Sequence, residues 1–475
     1  MLKVCVLQPD YSTSDVDYKN YDPPRNLSAL LPECKTDHVF LNKLSVYRQL
    51  RELKKKKYDV FVNLCEGYLD WSIPSIDVIH CLELLNLPYT GPNAVLYDPS
   101  KELMKYVAFC CGVNTPAYIK ITEDNRNENI TPGLNFPLFI KPAKAGDSLG
   151  IDDGSLVNNE TNLHDKIKFL LKEYDEILVE EYIAGREFTV LVAANAGSND
   201  CTVYTPLEFV FPNGKKFKTY SFKTSELHKE CNVPCKDEEL SKHLKDAATK
   251  IFREFNGVGY ARMDFRVDDS KQIFFLEINF TCSVFYEDGY EGSADYILMN
   301  EPGGKKAFLE KIISEGIYRH KQKQLKYLLK GNAISGYGIY ASKNMEQAEI
   351  IFQNEGKSHR LITKKYVDDH WNAEDIHVFR KYAWPLGNDV YVLWDEDPRG
   401  WAPQNHSCDP NTAYDGLNVI ALRKIKRGEE LTLDYTTFLN DEMESFICNC
   451  GATNCKKIIQ GVRPPLVIDL QKKQL

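Results

Sequence analysis

Several features are scarce or missing in this 475-residue sequence, and each absence excludes a class of protein. No run of about 18 apolar residues occurs, so no membrane-spanning helix is expected. The first ten residues, MLKVCVLQPD, hold an apolar stretch too short for a signal peptide and no small-residue cleavage site. The formal net charge of −9 leaves no excess of Lys and Arg for general nucleic-acid binding. We therefore expect an intracellular protein of the cytoplasm or nucleus, without membrane or direct nucleic-acid partners.

The composition is that of an ordinary folded protein, with 43% hydrophobic and 27% charged residues. The length exceeds what one hydrophobic core usually serves, so two or three domains are expected. Fourteen cysteines are present. In a reducing compartment, clustered cysteines indicate metal ligands, whereas scattered ones behave as small buried hydrophobic residues.

One cysteine cluster lies in SFICNCGATNCKK, which contains Cys448, Cys450 and Cys455. A disulfide knot, a metal site and a chance grouping are the alternatives. This polar segment can bury little apolar surface, and Zn²⁺ held by thiolates is the usual staple for such a segment in a reducing compartment. Tetrahedral zinc needs a fourth ligand. Cys408 in QNHSCDPN is the candidate, and His406 is its rival.

Hydrophobic patterns divide the chain into regions. Strand and helix patterns alternate over residues 1–115, which predicts a parallel sheet. Strand patterns dominate from 137 to 300, with one long helix in KDEELSKHLKDAATKIFREF. A polar helix is predicted near 303–330, running into a linker, and short strands and turns follow it.

Two stretches suggest a phosphate or nucleotide site. FIKPAKAGDSLGI contains Lys141 and then Ser148 in a glycine loop, where small residues let backbone N–H groups approach phosphate oxygens. ILVEEYIAGREFTV contains Glu180 and Glu187, which are able to accept hydrogen bonds from ribose or adenine. A common turn and a polar strand edge are the alternative interpretations when each stretch is taken alone.

A third stretch, GYARMDFRVDDSKQIFFLEINF, predicts two adjacent strands joined by a turn. Asp264, Glu277 and Asn279 would point towards one spot, and such oxygen ligands suit Mg²⁺ with help from substrate phosphates. Arg262 lies two residues before Asp264, hence on the same strand face, and is able to stabilise a developing oxyanion.

The order of these segments resembles the ATP-grasp fold, specifically its D-alanine–D-alanine ligase branch, over roughly residues 1–320. The resemblance implies a parallel-sheet pre-domain and two α+β lobes, and a carboxylate activated by phosphoryl transfer and then attacked by an amine. It also implies roles for individual residues. ATP phosphates would contact Lys101 and Lys141, and Ser148 would belong to a loop that closes over them. Adenine and ribose would be held by Glu180, Ile183 and Glu187. Mg²⁺ would be bound by Asp264, Glu277 and Asn279, and Arg262 would face the acyl phosphate.

The substrate half departs from that family. The N-terminal substrate stretch is LQPDYSTSDVDYKNYDPP, the next one is LCEGYLDWSIPS, and TCSVF follows the metal-binding Asn. D-alanine is therefore not the expected substrate, and another small-molecule or peptide carboxylate and amine are expected. The alternative is a non-catalytic nucleotide-binding or recruitment scaffold, against which the retained Arg262 and metal carboxylates argue.

The last third resembles a SET domain with a post-SET tail, of the protein-lysine methyltransferase type. The motifs are GNAISGYGIY, QNHSCDPN, RGEELTLDY and CNCGATNCKK, in order over roughly 331–461. The resemblance implies S-adenosylmethionine as cofactor and a histone or other protein lysine as substrate. The implied residues are Tyr435 as the catalytic tyrosine, Gly336, Tyr337, Gly338, Asn405 and His406 at the cofactor, and Cys408, Cys448, Cys450 and Cys455 as zinc ligands.

The sequence departs from the usual SET motifs at two places. Leu433 occupies the usual aromatic position linked to methylation multiplicity, and APQ precedes Asn405. A SET domain without activity, serving as an interaction module, is the alternative, which the presence of Tyr435, Asn405 and His406 disfavours. The expected fold class is α/β followed by mainly-β. The expected divisions are a pre-ATP-grasp domain at 1–115, an ATP-grasp domain at 116–320, a SET domain at 321–436 and a zinc tail at 437–475.

Overall fold

The structure is a computed structural model. It describes the following residues: 1–12, 22–67, 71–126, 133–144, 149–198, 200–212, 215–219, 229–323, 325–332, 335–353, 359–387, 389–394 and 404–462. The chain divides into two compact units, Met1–Lys323 and Gln324–Leu475. Among the described residues, no helix has the length and apolar character that crossing a bilayer requires.

The first unit begins with a parallel sheet in the order β2-β1-β3. Its strands are β1 (Lys3–Pro9), β2 (Lys35–Leu41) and β3 (Val60–Asn63). The predicted parallel sheet is confirmed, because β1 pairs in parallel with both neighbours. The next segment, LPYTGP, contributes a single parallel bridge between Phe61 and Tyr89.

Two largely antiparallel sheets follow in the first unit. One has the order β4-β7-β5-β6 and consists of β4 (Tyr118–Thr122), β5 (Leu138–Pro142), β6 (Leu156–Val157) and β7 (Glu176–Glu181). The other has the order β11-β10-β8-β12-β13, with β9 also pairing with β8. Its strands are β8 (Arg186–Ala194), β9 (Cys201–Val203), β10 (Leu207–Phe209), β11 (Asn232–Pro234), β12 (Tyr260–Val267) and β13 (Ile273–Asn279).

The described helices of the first unit cover these sheets. They are α1 (Val46–Lys55), α2 (Ile76–Leu84), α3 (Lys101–Cys110), α4 (Glu160–Leu170), α5 (Glu238–Glu254), α6 (Ser293–Met299) and α7 (Gly304–Lys323). Helix α3 is capped by Ser100, whose side chain accepts a hydrogen bond from the Leu103 N–H at 3.2 Å. In α5, Leu240, Leu244 and Ile251 form a buried stripe at helical spacing against the third sheet.

The helix predicted near 303–330 is wrong in its last part. Helix α7 ends at Lys323, and KYLLKG instead forms most of strand β14 (Tyr327–Asn332) of the second unit. Tyr327 is buried against Ile339 and Phe352, so tertiary packing decides the conformation where the Lys-rich composition favoured a helix.

The second unit consists of short strands and two helices among its described residues. The strands after β14 are β15 (Gly336–Ala341), β16 (Ile350–Phe352), β17 (Leu361–Thr363), β18 (Trp384–Pro385), β19 (Val390–Val392), β20 (Asn405–His406), β21 (Thr412–Asp415), β22 (Asn418–Ala421), β23 (Thr432–Leu433), β24 (Phe446–Ile447) and β25 (Ile458–Ile459). The helices are α8 (Lys364–His370) and α9 (Ala373–Tyr382). The pairing of β20 with β23 brings the NHSC and LTLDY segments side by side.

A buried guanidinium joins the parallel sheet to the rest of the first unit. Arg25 is 2% exposed and donates to the backbone oxygens of Leu64 at 3.1 Å and Val284 at 3.2 Å. Its ion pairs reach Asp22 at 3.0 Å and Glu66 at 3.4 Å. Removal of this cation would leave two mostly buried carboxylates without compensation.

We therefore expect Arg25→Leu to lower the free energy of unfolding of the first unit by about 3–5 kcal/mol, measured by urea denaturation of the full chain. The matched control is Arg51→Leu, at an exposed position of α1. Equal stability of the two variants would contradict the role of Arg25.

Candidate functional site

A pocket in the first unit opens between the second and third sheets. It is lined by Lys101 of α3, Lys141 of β5, Glu180 of β7, and Asp264 and Glu277 of β12 and β13. The structure therefore brings together residues that the sequence separates by more than 170 positions. Ser148, by contrast, lies outside the described residues.

Successive side chains of strand β12 point alternately to the hydrophobic core and to the pocket. Met263 and Phe265 are fully buried in the hydrophobic core of the third sheet. Arg262, Asp264 and Arg266 alternate with them and line the pocket. The predicted common face of Arg262 and Asp264 is confirmed, and Arg266 extends it.

Strand β13 contains a β-bulge that the sequence analysis missed. Asp264 pairs with Glu277, whereas the next residue, Phe265, pairs with Phe275. The extra residue, Leu276, lies on the pocket side together with Glu277. A bulge breaks the two-residue alternation and re-aims side chains. The signal in the sequence was FFLEIN, where two buried core residues stand three positions apart.

The oxygen-bearing side chains predicted for Mg²⁺ lie beside two cations. The register puts Asp264 opposite Glu277 and Arg262 opposite Asn279. Arg262 contacts Asp264 at 3.0 Å, and Lys101 contacts Glu277 at 3.1 Å. Asn279 also donates to the Glu277 carboxylate at 3.4 Å. One or two carboxylates beside an open pocket fit the way proteins hold Mg²⁺ together with substrate phosphates.

Glu180 lies between two lysines. Its carboxylate oxygens contact Lys105 Nζ and Lys141 Nζ, each at 2.9 Å, and all three side chains are buried. Burial opposes ionisation, but the attraction and hydrogen bonds of the two lysines lower the pKa of Glu180 to about 2. Lys105 was not predicted, although its position one helical turn after Lys101 was a usable signal.

Glu187 is held in the same way on the opposite wall. Its oxygens contact Lys218 and Arg266, each at 3.0 Å. Burial raises the pKa of Glu187, but the two cations lower it by more, so the net effect is a decrease. Arg266 also donates to the backbone oxygen of Ile183 at 3.1 Å, which fixes the segment between β7 and β8. Lys218 and Arg266 were not predicted.

Apolar side chains form a further part of the pocket surface. They are Phe139, Leu149, Ile151, Ile183, Phe217 and Leu276. A flat, uncharged ring fits an apolar slot, and the lysines and arginines supply charge for an attached phosphate chain. The pocket therefore suits a nucleotide in shape and charge.

The second unit brings the glycine motif to the NHSC segment. Asn405 donates to the backbone oxygen of Tyr337 at 3.0 Å and to the Glu430 carboxylate at 2.7 Å. A Cβ atom at Gly338 would lie 2.4 Å from Glu430 Oε1, so Glu430 and Asn405 occupy the space that this glycine leaves. Gly336 has φ of 86°, which favours glycine. The sequence analysis missed Glu430, although it stands in RGEEL.

Tyr435 is held from two directions. Its backbone N–H donates to His406 Nδ1 at 3.1 Å, and its hydroxyl donates to the backbone oxygen of Gln404. Since Nδ1 accepts, the ring proton of neutral His406 lies on Nε2, which is 3.3 Å from Cys408 Sγ. Burial lowers the pKa of His406 and raises that of Tyr435 to about 12, so the phenol stays protonated.

An aromatic surface surrounds Tyr435. The ring of Phe438 lies 5.3 Å from it and that of Phe446 lies 5.9 Å from it, centre to centre. Tyr414 contacts Phe438 and stacks on Trp384 at 4.5 Å. Aromatic faces favour cations such as an alkylammonium group. None of these four rings was singled out from the sequence.

The four predicted cysteines come together. The sulfur atoms of Cys408, Cys448, Cys450 and Cys455 all lie within 4.8 Å of one another, and the thiols are free. The Cys408 and Cys448 sulfurs are 3.9 Å apart, close to the roughly 3.8 Å expected around tetrahedral zinc with bonds of about 2.3 Å. Backbone N–H groups of Cys408 and Lys456 point at cluster sulfurs. The donor set fits Zn²⁺, with His406 beside it in contact with Cys408.

Each of the two units contains a segment that matches a known protein family. Residues 108–284 match the family model described as D-ala D-ala ligase C-terminus, and residues 336–436 match that of the SET domain. The predicted resemblance to both families is therefore confirmed. The chain thus joins a segment similar to the C-terminal part of D-alanine–D-alanine ligases, at 108–284, to a segment similar to a SET domain, at 336–436.

Relatives of the first unit are bacterial ligases. The D-alanine–D-alanine ligase of Aquifex aeolicus is 31% identical over 200 residues, which are 42% of this chain and 64% of that protein. The ligase of Bordetella petrii is 29% identical over 200 residues, again 42% of this chain and 60% of that protein. The matched segment thus spans less than two thirds of these relatives.

Solved structures give a weaker likeness. The D-alanine-D-alanine ligase from Coxiella burnetii is 19% identical, with 68% of this chain and 97% of that chain covered and a TM-score of 0.48. The VanG D-Ala:D-Ser ligase from Enterococcus faecalis is 19% identical, with 67% and 99% covered and a TM-score of 0.47.

The cysteine cluster predicts about one zinc ion per purified chain, because four thiolates close a tetrahedral site. Elemental analysis should show Cys408→Ala losing most of this zinc, while Cys110→Ala, at an exposed position of α3, keeps it. Wild-type protein without zinc, or a Cys408→Ala variant with full zinc, would contradict the four-cysteine site.

Proposed function

We propose that the chain joins two enzymes, an ATP- and Mg²⁺-dependent carboxylate–amine ligase and an S-adenosylmethionine-dependent protein-lysine N-methyltransferase. The observation that carries the ligase half is the pairing of Asp264 with Glu277 in a pocket that also presents Lys101, Lys141 and Arg262. A scaffold has no use for metal carboxylates and an oxyanion-stabilising arginine in one pocket.

Each residue predicted from the sequence for this site would have a defined task in the ligase. Bound ATP with Mg²⁺ supplies the phosphoryl group that activates a carboxylate. Asp264, Glu277 and Asn279 would hold the metal, and Lys101 and Lys141 would neutralise phosphate oxygens. Arg262 would stabilise the oxyanion that develops when an amine attacks the activated carboxyl carbon. Glu180, Ile183 and Glu187 would position adenine and ribose, and Ser148 would belong to the closing loop.

The methyltransferase half depends on Tyr435. Bound S-adenosylmethionine would supply a sulfonium methyl group, whose transfer to the neutral lysine amine would release the thioether and a proton. Alignment is the main demand of such an in-line displacement. Tyr435 would orient the amine beside the aromatic surface, while Gly336, Tyr337, Gly338, Asn405 and His406 would line the cofactor site.

The domain division that we propose is 1–115, 116–320, 321–436 and 437–475. The last of these is a post-SET tail held by zinc at Cys408, Cys448, Cys450 and Cys455. Such a site needs reduced thiols, which fits a reducing compartment, the cytoplasm or nucleus. The proposed partners are a histone or other protein lysine and a small-molecule or peptide carboxylate and amine.

For the ligase half, we expect wild-type protein to release ADP from Mg-ATP when supplied with a matching carboxylate and amine, in a screen of metabolites and peptides. Glu277→Gln should abolish the release, because the metal loses a charged ligand. Glu310→Gln, at an exposed position of α7, is the control. Nucleotide binding without ADP release across the whole screen would favour the scaffold alternative.

For the methyltransferase half, we expect transfer of labelled methyl groups from S-adenosylmethionine to core histones or total ribosomal protein. Tyr435→Phe should abolish transfer and keep cofactor binding, because only the hydroxyl that orients the amine is removed. Tyr366→Phe, half-exposed on α8, should label as wild type does. Unchanged labelling by Tyr435→Phe would remove that residue from the mechanism.

A further inference from the structure

A lysine directly after the last cluster cysteine contacts the residue before Tyr435. Lys456 Nζ lies 2.9 Å from Asp434 Oδ2 and 2.7 Å from Thr436 Oγ1. The backbone N–H of the same lysine donates to Cys408 Sγ at 3.3 Å. Lys456 thus touches the cysteine cluster with its backbone and the Tyr435 segment with its side chain.

Asp434 shapes the turn that contains Tyr435. Its side chain accepts hydrogen bonds from the Thr436 N–H at 3.0 Å and the Thr436 hydroxyl at 2.8 Å, and it caps the 3₁₀ turn Tyr435–Thr437. Since Lys456 binds the other oxygen of Asp434, the cap and the cation hold this carboxylate from opposite sides. A shift of Lys456 would therefore move the start of the turn.

A second connection between the cluster and Tyr435 runs through the histidine. His406 Nε2 lies 3.3 Å from Cys408 Sγ, and Nδ1 accepts the Tyr435 N–H at 3.1 Å. Both connections start at Cys408 Sγ: the histidine ring accepts the Tyr435 N–H, and the lysine side chain binds the residue before Tyr435. Together, His406 and Lys456 fix the position of the Tyr435 phenol relative to the segment that contains Cys448, Cys450 and Cys455.

We propose that Lys456 is a positioning residue, which transmits the geometry of the cysteine cluster to Tyr435 through Asp434. The proposal rests on the proposed methyl transfer by the SET unit. Lys456 itself contacts neither substrate nor cofactor in this role. The side chains of Lys456 and Asp434 are 45% and 18% exposed, and ion pairs this accessible contribute little to folding stability. Loss of the pair is therefore expected to alter the Tyr435 turn and leave the fold intact.

The test compares three variants of the full chain. Lys456→Met removes the charge at similar length, Lys456→Arg keeps it, and Lys457→Met makes the same change at the exposed neighbouring position. Four properties are measured: zinc content, affinity for S-adenosylmethionine, hydrogen–deuterium exchange of residues 433–438, and methyl transfer to core histones or total ribosomal protein. The exchange measurement needs no knowledge of the natural substrate.

We expect Lys456→Met to keep its zinc and its cofactor affinity, to exchange faster at residues 433–438, and to lose kcat by about 10-fold or more with KM unchanged, as for other residues that orient a ligand set. Lys456→Arg should restore most of the protection from exchange and most of kcat, and Lys457→Met should match wild type.

Equal exchange and kcat in Lys456→Met and Lys457→Met would overturn the proposal. Loss of zinc from Lys456→Met would overturn it too, because the lysine would then serve the cluster and not the tyrosine. Absence of methyl transfer by wild type would refute the proposed function alone, while exchange and zinc content still decide the coupling.

Discussion

The register of β12 against β13 is the constraint on which the first unit depends. It sets Asp264 opposite Glu277 and Arg262 opposite Asn279, while the alternate residues Met263 and Phe265 enter the core. Because one face of the strand must be buried, a slip by one residue would exchange charged and apolar faces. The hydrophobic core therefore fixes the geometry of the polar site.

Charge balance then holds the pocket in shape before any ligand binds. Every acidic side chain discussed for the pocket has a basic partner: Glu180 has Lys105 and Lys141, Glu187 has Lys218 and Arg266, Asp264 has Arg262, and Glu277 has Lys101. Removing one member would leave an unpaired charge in a poorly solvated place, which is costly. A nucleotide with its metal would enter an array whose charges are already oriented, so little reorganisation is needed on binding.

Much of this was predictable from the sequence, and what was not has physical reasons. A segment with a strong local pattern, such as the alternation in YARMDFRV, was predicted well. The motif residues that lie together in the pocket and the four-cysteine cluster were also identified. Lys218, Arg266 and Lys456 were missed, because their spacing in the sequence is not distinctive and their roles depend on partners brought close by the fold. Lys105 was also missed, although it lies one helical turn after Lys101. The β14 strand was missed because the buried contacts of Tyr327 outweigh local composition.

The two proposed activities require one chain to bind two cofactors at two separate sites. Calorimetric titration of the full chain with Mg²⁺ and a non-hydrolysable ATP analogue, and then with S-adenosylmethionine, measures both binding events. We expect both ligands to bind with a stoichiometry near unity, Glu277→Gln to abolish only nucleotide binding, and saturation with one ligand to leave the other site available. Failure of either ligand to bind the wild-type, zinc-loaded chain, or competition between the two for one site, would contradict this expectation.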